Sequence, residues 1–76
     1  MFRYTVDVTG MTCQHCVSHV TEELSACAGV QNVSVALEPA GLSQITINAD
    51  APLTDEVITQ AIDEAGDYPV QAIRQA

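Results

Sequence analysis

Apolar and polar residues alternate over residues 2–8. Phe2, Tyr4, Val6 and Val8 share one face; Arg3, Thr5 and Asp7 share the other. That two-residue period predicts a strand covered on one side only. Gly10 breaks it and opens a loop. The period then lengthens: Val17, Val20, Leu24 and Cys27 or Ala28 recur at three- and four-residue steps. This predicts a helix from about Gln14 to Ala28 with one apolar stripe, and Gly29 is a natural stop. Alternation returns over 31–37, with Val33, Val35 and Leu37 in phase, and over 43–49, with Ile45, Ile47 and Ala49 in phase. The short Glu38-Pro39-Ala40-Gly41 turn between them predicts an antiparallel hairpin.

The second helix has the clearest start. Thr54 is a good N-cap, and Leu53 before it can staple onto Ile58 one turn later. Asp55 and Glu56 fall where the helix dipole favours negative charge. Ile58, Ala61, Ile62 and Ala65 form the buried stripe, Gly66 ends the helix, and a last strand runs from about Tyr68 to Ile73. The order strand, helix, strand, strand, helix, strand is that of two split βαβ units. The expected fold is α+β: a ferredoxin-like βαββαβ sandwich, a four-stranded antiparallel sheet with both helices on one face. With 76 residues there is room for one small domain, taken as residues 1–76.

Composition narrows the function. Two basic residues, Arg3 and Arg74, stand against ten Asp and Glu. Such a surface repels nucleic-acid phosphates and disfavours anionic lipid. It keeps a small protein soluble or steers it toward a basic partner. With Trp absent and aromatics scarce, the core is expected to be small and aliphatic, and chemistry to lie at the surface. The amino end lacks the basic start and continuous apolar run of a signal peptide, and no stretch approaches a membrane span. The expected location is therefore cytoplasmic, where cysteines stay reduced unless metal or chemistry claims them.

Three cysteines carry the candidate chemistry. Cys13 falls in the loop after the first strand and Cys16 in the first turn of the first helix. Two intervening residues let both sulfurs face one spot. Unpaired N–H groups and the positive end of the helix dipole favour thiolate there. Two soft sulfurs without an evident third ligand suit a low-coordinate soft cation such as Cu(I); structural zinc normally takes four protein ligands. The pair by itself also leaves zinc and disulfide exchange open. Cys27, on the apolar stripe, is expected to be a small core hydrophobe.

Gly10-Met11-Thr12-Cys13-Gln14-His15-Cys16 resembles the Gly-Met-Thr/Ser-Cys-x-x-Cys motif of heavy-metal-associated domains. The resemblance extends through Val17, Val20 and Leu24, through Gly29-Val30 with Val33 and Val35, and through Gly66-Asp67-Tyr68 with Val70. It implies a small bacterial copper chaperone, which carries Cu(I) on Cys13 and Cys16. Such a chaperone passes the ion by ligand exchange to the metal-binding domain of a copper-transporting P-type ATPase. Zinc- and cadmium-handling relatives often place Asp before the first Cys; Thr12 stands here. Met11 is read as packing, with a thioether role as the alternative. His15 is read as a solvated side chain or as one that tunes the thiols. His19 is expected on the polar face. Tyr68 either finishes the core edge or shields the ion. The state expected is a monomer, with a copper-bridged dimer as the variant. The absence of Lys departs from eukaryotic chaperones, so the docking surface of the partner should be basic or neutral.

Three competing readings follow. The pair can serve a thiol–disulfide oxidoreductase, although Gln14-His15 resembles neither Gly-Pro nor Pro-Tyr between the cysteines. The chain can be the detached metal-binding domain of an ATPase, although Met1 leading straight into a strand favours a free-standing protein. The ion can be Zn(II), Cd(II), Hg(II) or Ag(I).

Overall fold

A computed structural model describes every residue except 12, 13, 39, 67 and 76. The elements are β1 (Phe2–Val8), α1 (Gln14–Ser25), β2 (Val30–Ala36), β3 (Ser43–Ala49), α2 (Asp55–Ala65) and β4 (Val70–Gln75). The sheet order is β2-β3-β1-β4, and all three pairings are antiparallel. This is the ferredoxin-like arrangement the sequence predicts: each helix crosses over one intervening strand.

The alternation of β1 and β3 becomes a two-faced sheet. Tyr4 pairs with Ile47, and Val6 with Ile45; all four are buried beneath the helices. Val20 and Leu24 from α1, and Ile58, Ala61 and Ile62 from α2, close the core from above. Each fully buried aliphatic side chain of this kind contributes about 1.5–3 kcal/mol. The edge strands are less covered: Val33, Val35 and Leu37 are only half-buried, because nothing flanks β2 on its outer side.

On the open face the polar residues link across strands. Arg3 Nε donates to Asn48 Oδ1 at 3.3 Å, and Asn48 Nδ2 donates to Asn32 Oδ1 at 2.7 Å. Asp7, expected simply to share this polar face, is 9 % exposed. Arg74 of β4 covers it with two hydrogen bonds, Nη1 to Oδ2 at 2.8 Å and Nη2 to Oδ1 at 3.1 Å. The guanidinium holds the Asp7 carboxyl below its ordinary value. This fork-to-fork pair ties the last strand to the first.

Three elements differ in extent from expectation: β2 runs Val30–Ala36, one residue earlier than 31–37, and α1 and β4 differ more. α1 stops at Ser25 rather than Ala28. Beyond it the i→i+4 ladder gives way to tighter i→i+3 bonds, Cys27 N–H to Leu24 O at 3.1 Å and Val30 N–H to Cys27 O at 3.3 Å. The apolar spacing that predicted three more helical residues is met by this turn instead. β4 starts at Val70 and ends at Gln75, two residues later at each end than its alternation suggested. A register shift between Asp7 and Val8 leaves Gln71 as an extra residue on β4, a bulge that displaces the apolar phase. The hairpin turn forms at the expected place: Gly41 N–H donates to Glu38 O at 3.1 Å, and Glu38 N–H donates to Ser43 Oγ at 3.0 Å. Pro39 of that turn lies outside the described residues.

Candidate metal site

Sheet topology places two loops side by side. β1 ends at Val8, which pairs with Val70 at the start of β4. The loop leaving β1 therefore runs beside the loop entering β4. Thr9 N–H donates to Pro69 O at 3.1 Å, and Gln71 Nε2 donates weakly to Thr9 Oγ1 at 3.4 Å. Gly10 follows with φ +87°, a left-handed conformation that glycine adopts without steric cost. The turn it makes drives Met11 inward, to 1 % exposure within the core cluster. Met11 thus packs, as the first of its two expected roles required, and it is the anchor of the loop.

α1 begins at Gln14, so Cys16 lies in its first turn. The Cys16 side chain is half-buried and packs against the core. No acidic residue stands in that turn, so nothing there competes for the positive end of the helix dipole. Thr12 and Cys13 lie outside the described residues. Their assignment rests on the sequence, in which Cys13 directly precedes the helix.

The neighbouring residues separate clearly. His15 and His19 are both exposed, as expected, on the polar face of α1. Tyr68 is half-buried against the core, in the loop beside Thr9. A Cβ at Gly66 would meet the Tyr68 ring at 2.8 Å, so the absence of a side chain at Gly66 is what lets the ring lie there. Tyr68 thus packs against the edge of the core from the loop that enters β4. The two loops are joined by long-range backbone pairing, which local sequence spacing does not announce.

Cys27 is not the enclosed core residue its stripe position suggested. It lies beyond the end of α1, half-buried, and lines a groove of about 240 Å³ with Glu23, Val57, Gln60 and Glu64. Its Sγ–H donates to Glu23 O at 3.6 Å. Burial, and secondarily the Glu23 carboxylate, push its thiol pKa up. A raised thiol pKa disfavours the thiolate that binds metal. Among the described residues no three His, Cys, Asp or Glu side chains are grouped to hold an ion. Among them too, no helix is long and apolar enough to cross a membrane.

Comparison with known proteins agrees with this architecture. The family model described as the heavy-metal-associated domain matches residues 5–67. The chain is 38% identical over 66 residues to the copper chaperone CopZ of Bacillus subtilis, covering 87% of this chain and 93% of that protein. It is 36% identical over 61 residues to the mercuric reductase of Shewanella putrefaciens, covering 80% of this chain but only 10% of that protein. In fold it resembles the solution structure of the yeast copper transporter domain Ccc2a, solved in apo and Cu(I)-loaded states. The TM-score is 0.75 at 23% identity, over 95% of this chain and 97% of that one.

Proposed function

The chain belongs to the heavy-metal-associated domain family, and from that premise we propose that it carries one Cu(I) ion on the thiolates of Cys13 and Cys16. The observation that carries this reading is the start of α1. Its first turn holds Cys16 and no acidic side chain, so a thiolate is the anion that this helix end stabilises. Two sulfurs give the linear or bent coordination that Cu(I) accepts, and soft thiolates select it over hard cations. The similarity to CopZ supports copper as the cargo.

A carrier must release what it binds. Cys16 is half-buried in the first turn of α1, and on this reading a second pair of thiolates reaches the ion at that helix start. Transfer proceeds by exchange: an incoming thiolate bonds to the copper as one of the two original sulfurs leaves, and a second incoming thiolate then bonds as the other original sulfur leaves. Copper stays Cu(I) throughout. The receiver is the metal-binding domain of a copper-transporting P-type ATPase. Its docking face is basic or neutral, because the helices here carry Glu22, Glu23, Asp55, Glu56, Asp63 and Glu64. Both arginines lie on the opposite, open face of the sheet, bonded to Asn48 and Asp7. On this reading the chain acts in a reducing compartment as a carrier rather than as a catalyst.

The likeness to mercuric reductase favours a second reading in which the same pair carries Hg(II). Copper-responsive against mercury-responsive expression separates the two cargoes. The site itself is tested by anaerobic Cu(I) titration against a strong chelator. The native chain should hold one equivalent. Cys13→Ala and Cys16→Ala should each fall to weak or sub-stoichiometric binding, while Cys27→Ala should bind normally. Equal losses from all three would overturn the assignment.

A further inference from the structure

The two histidines of α1 are placed to act together. His15 and His19 lie one helical turn apart and are both exposed. Their ring centroids are 5.3 Å apart, with the ring planes at 80°. An ion bound by an imidazole nitrogen at about 2.0–2.1 Å lies about 3.2 Å from the ring centre, so two rings sharing a tetrahedral ion have centres about 5.2 Å apart. The observed separation already matches that of a chelating pair. Turning the nitrogens toward one point needs only side-chain rotation, which exposure permits. The same i, i+4 spacing is how a helix presents two histidines to zinc in metallopeptidases.

We propose that His15 and His19 form a second metal site, separate from the thiolate pair, that takes a borderline divalent cation such as Zn(II) or Ni(II). Softness sorts the two sites: imidazole suits borderline ions, and thiolates suit Cu(I). Position sorts them as well. Cys16 packs against the core, whereas His15 and His19 point to solvent from the polar face. Water completes the coordination, since no third described side chain is grouped with the pair. The site is therefore open and exchangeable. His19 also shares a shallow hollow with Glu22, Glu23 and Glu64. Those carboxylates draw cations toward the pair without ligating them.

The test is calorimetric titration with Ni(II), anaerobically, in two forms of the full chain. One is Cys13→Ser/Cys16→Ser, which removes the thiolates; the other is the native chain with Cu(I) already on them. Cu(II) is unsuitable because it takes an electron from thiolate. The first form makes the result independent of the copper proposal, and the second serves if the double variant does not fold. One Ni(II) should bind per chain in each. His15→Gln or His19→Gln should weaken binding by about tenfold or more, with the far-UV circular dichroism unchanged, and Glu22→Gln should have much less effect. Binding no stronger than in His15→Gln/His19→Gln, or binding that follows the cysteines and ignores both histidines, would sink the proposal.

Discussion

The two helices occupy equivalent places in the two halves of the fold, yet their first turns are built in opposite ways. α2 opens with a complete set of local stabilisers. Thr54 Oγ1 accepts the Val57 N–H at 3.2 Å, and Asp55 and Glu56 face the positive end of the dipole. The approach is fixed by Leu53, whose N–H donates to the buried Tyr4 hydroxyl at 2.8 Å. α1 has no acid in its first turn, and its approach is fixed by the buried side chain of Met11. One start spends its electrostatics on the fold. The other leaves them for an anion, and the residue in its first turn that can become one is Cys16. Equal topology therefore does not mean equal roles, and the difference lies in a handful of side chains.

That contrast can be broken in several places. The largest effect is expected at Met11. Met11→Ala should destabilise the protein by about 2–5 kcal/mol through the cavity it leaves, whereas Met11→Leu should cost less than about 1.5 kcal/mol. Urea unfolding measures both. If Met11→Leu folds well but loses Cu(I) affinity, the thioether is a ligand and packing is not its whole role. Next is Thr54→Ala, expected to cost about 1 kcal/mol as a lost N-cap with Cu(I) affinity unchanged in chelator competition. A change in copper binding would mean that the two helix starts are coupled.

A smaller change sharpens the comparison from the other side. Gln14→Glu places an acid in the first turn of α1, as Asp55 does in α2. It should stabilise the apo protein by about 0.3–1 kcal/mol through the dipole, while a fixed carboxylate beside the thiolates weakens Cu(I) binding. An apo protein no more stable, with copper affinity intact, would remove the electrostatic account of the site. The mildest effect is that of pH on the Asp7–Arg74 pair, remote from both helix starts. The folded-state pKa of Asp7 is lowered by Arg74. Its contribution is therefore intact above the unfolded value near about 3.9 and is lost as pH falls through the lower folded value. Asp7→Asn should flatten that part of the acid-unfolding curve and leave copper binding at neutral pH untouched.

Much of this was legible along the chain, for reasons that are local. The strands show in the alternation of Tyr4, Val6 and Val8 and of Ile45, Ile47 and Ala49, because a half-covered sheet demands a two-residue period. The start of α2 shows in Thr54, Asp55 and Glu56, because capping acts over three or four residues. The proposed ligands Cys13 and Cys16 stand out because chelation by two sulfurs from one segment would need close spacing. The end of α1 was not legible. Cys27 keeps the helical apolar spacing, but the chain leaves the helix at Ser25 and puts that thiol in the groove between the helices. The start of β4 was hidden by its bulge at Gln71, which arises only in pairing with β1.

The sequence by itself therefore determined the order of elements, the two-faced sheet, the capped start of α2 and the pair of cysteines at the start of α1. Each of these depends on residues within a turn or a strand of one another. Tertiary structure alone decided that Asp7 would lie under Arg74, 67 residues away. It alone decided that Thr9 would hold Pro69 and so bring the end of β1 beside the loop before β4. Those contacts follow from which strands pair and in what register, and no short stretch of sequence contains both partners.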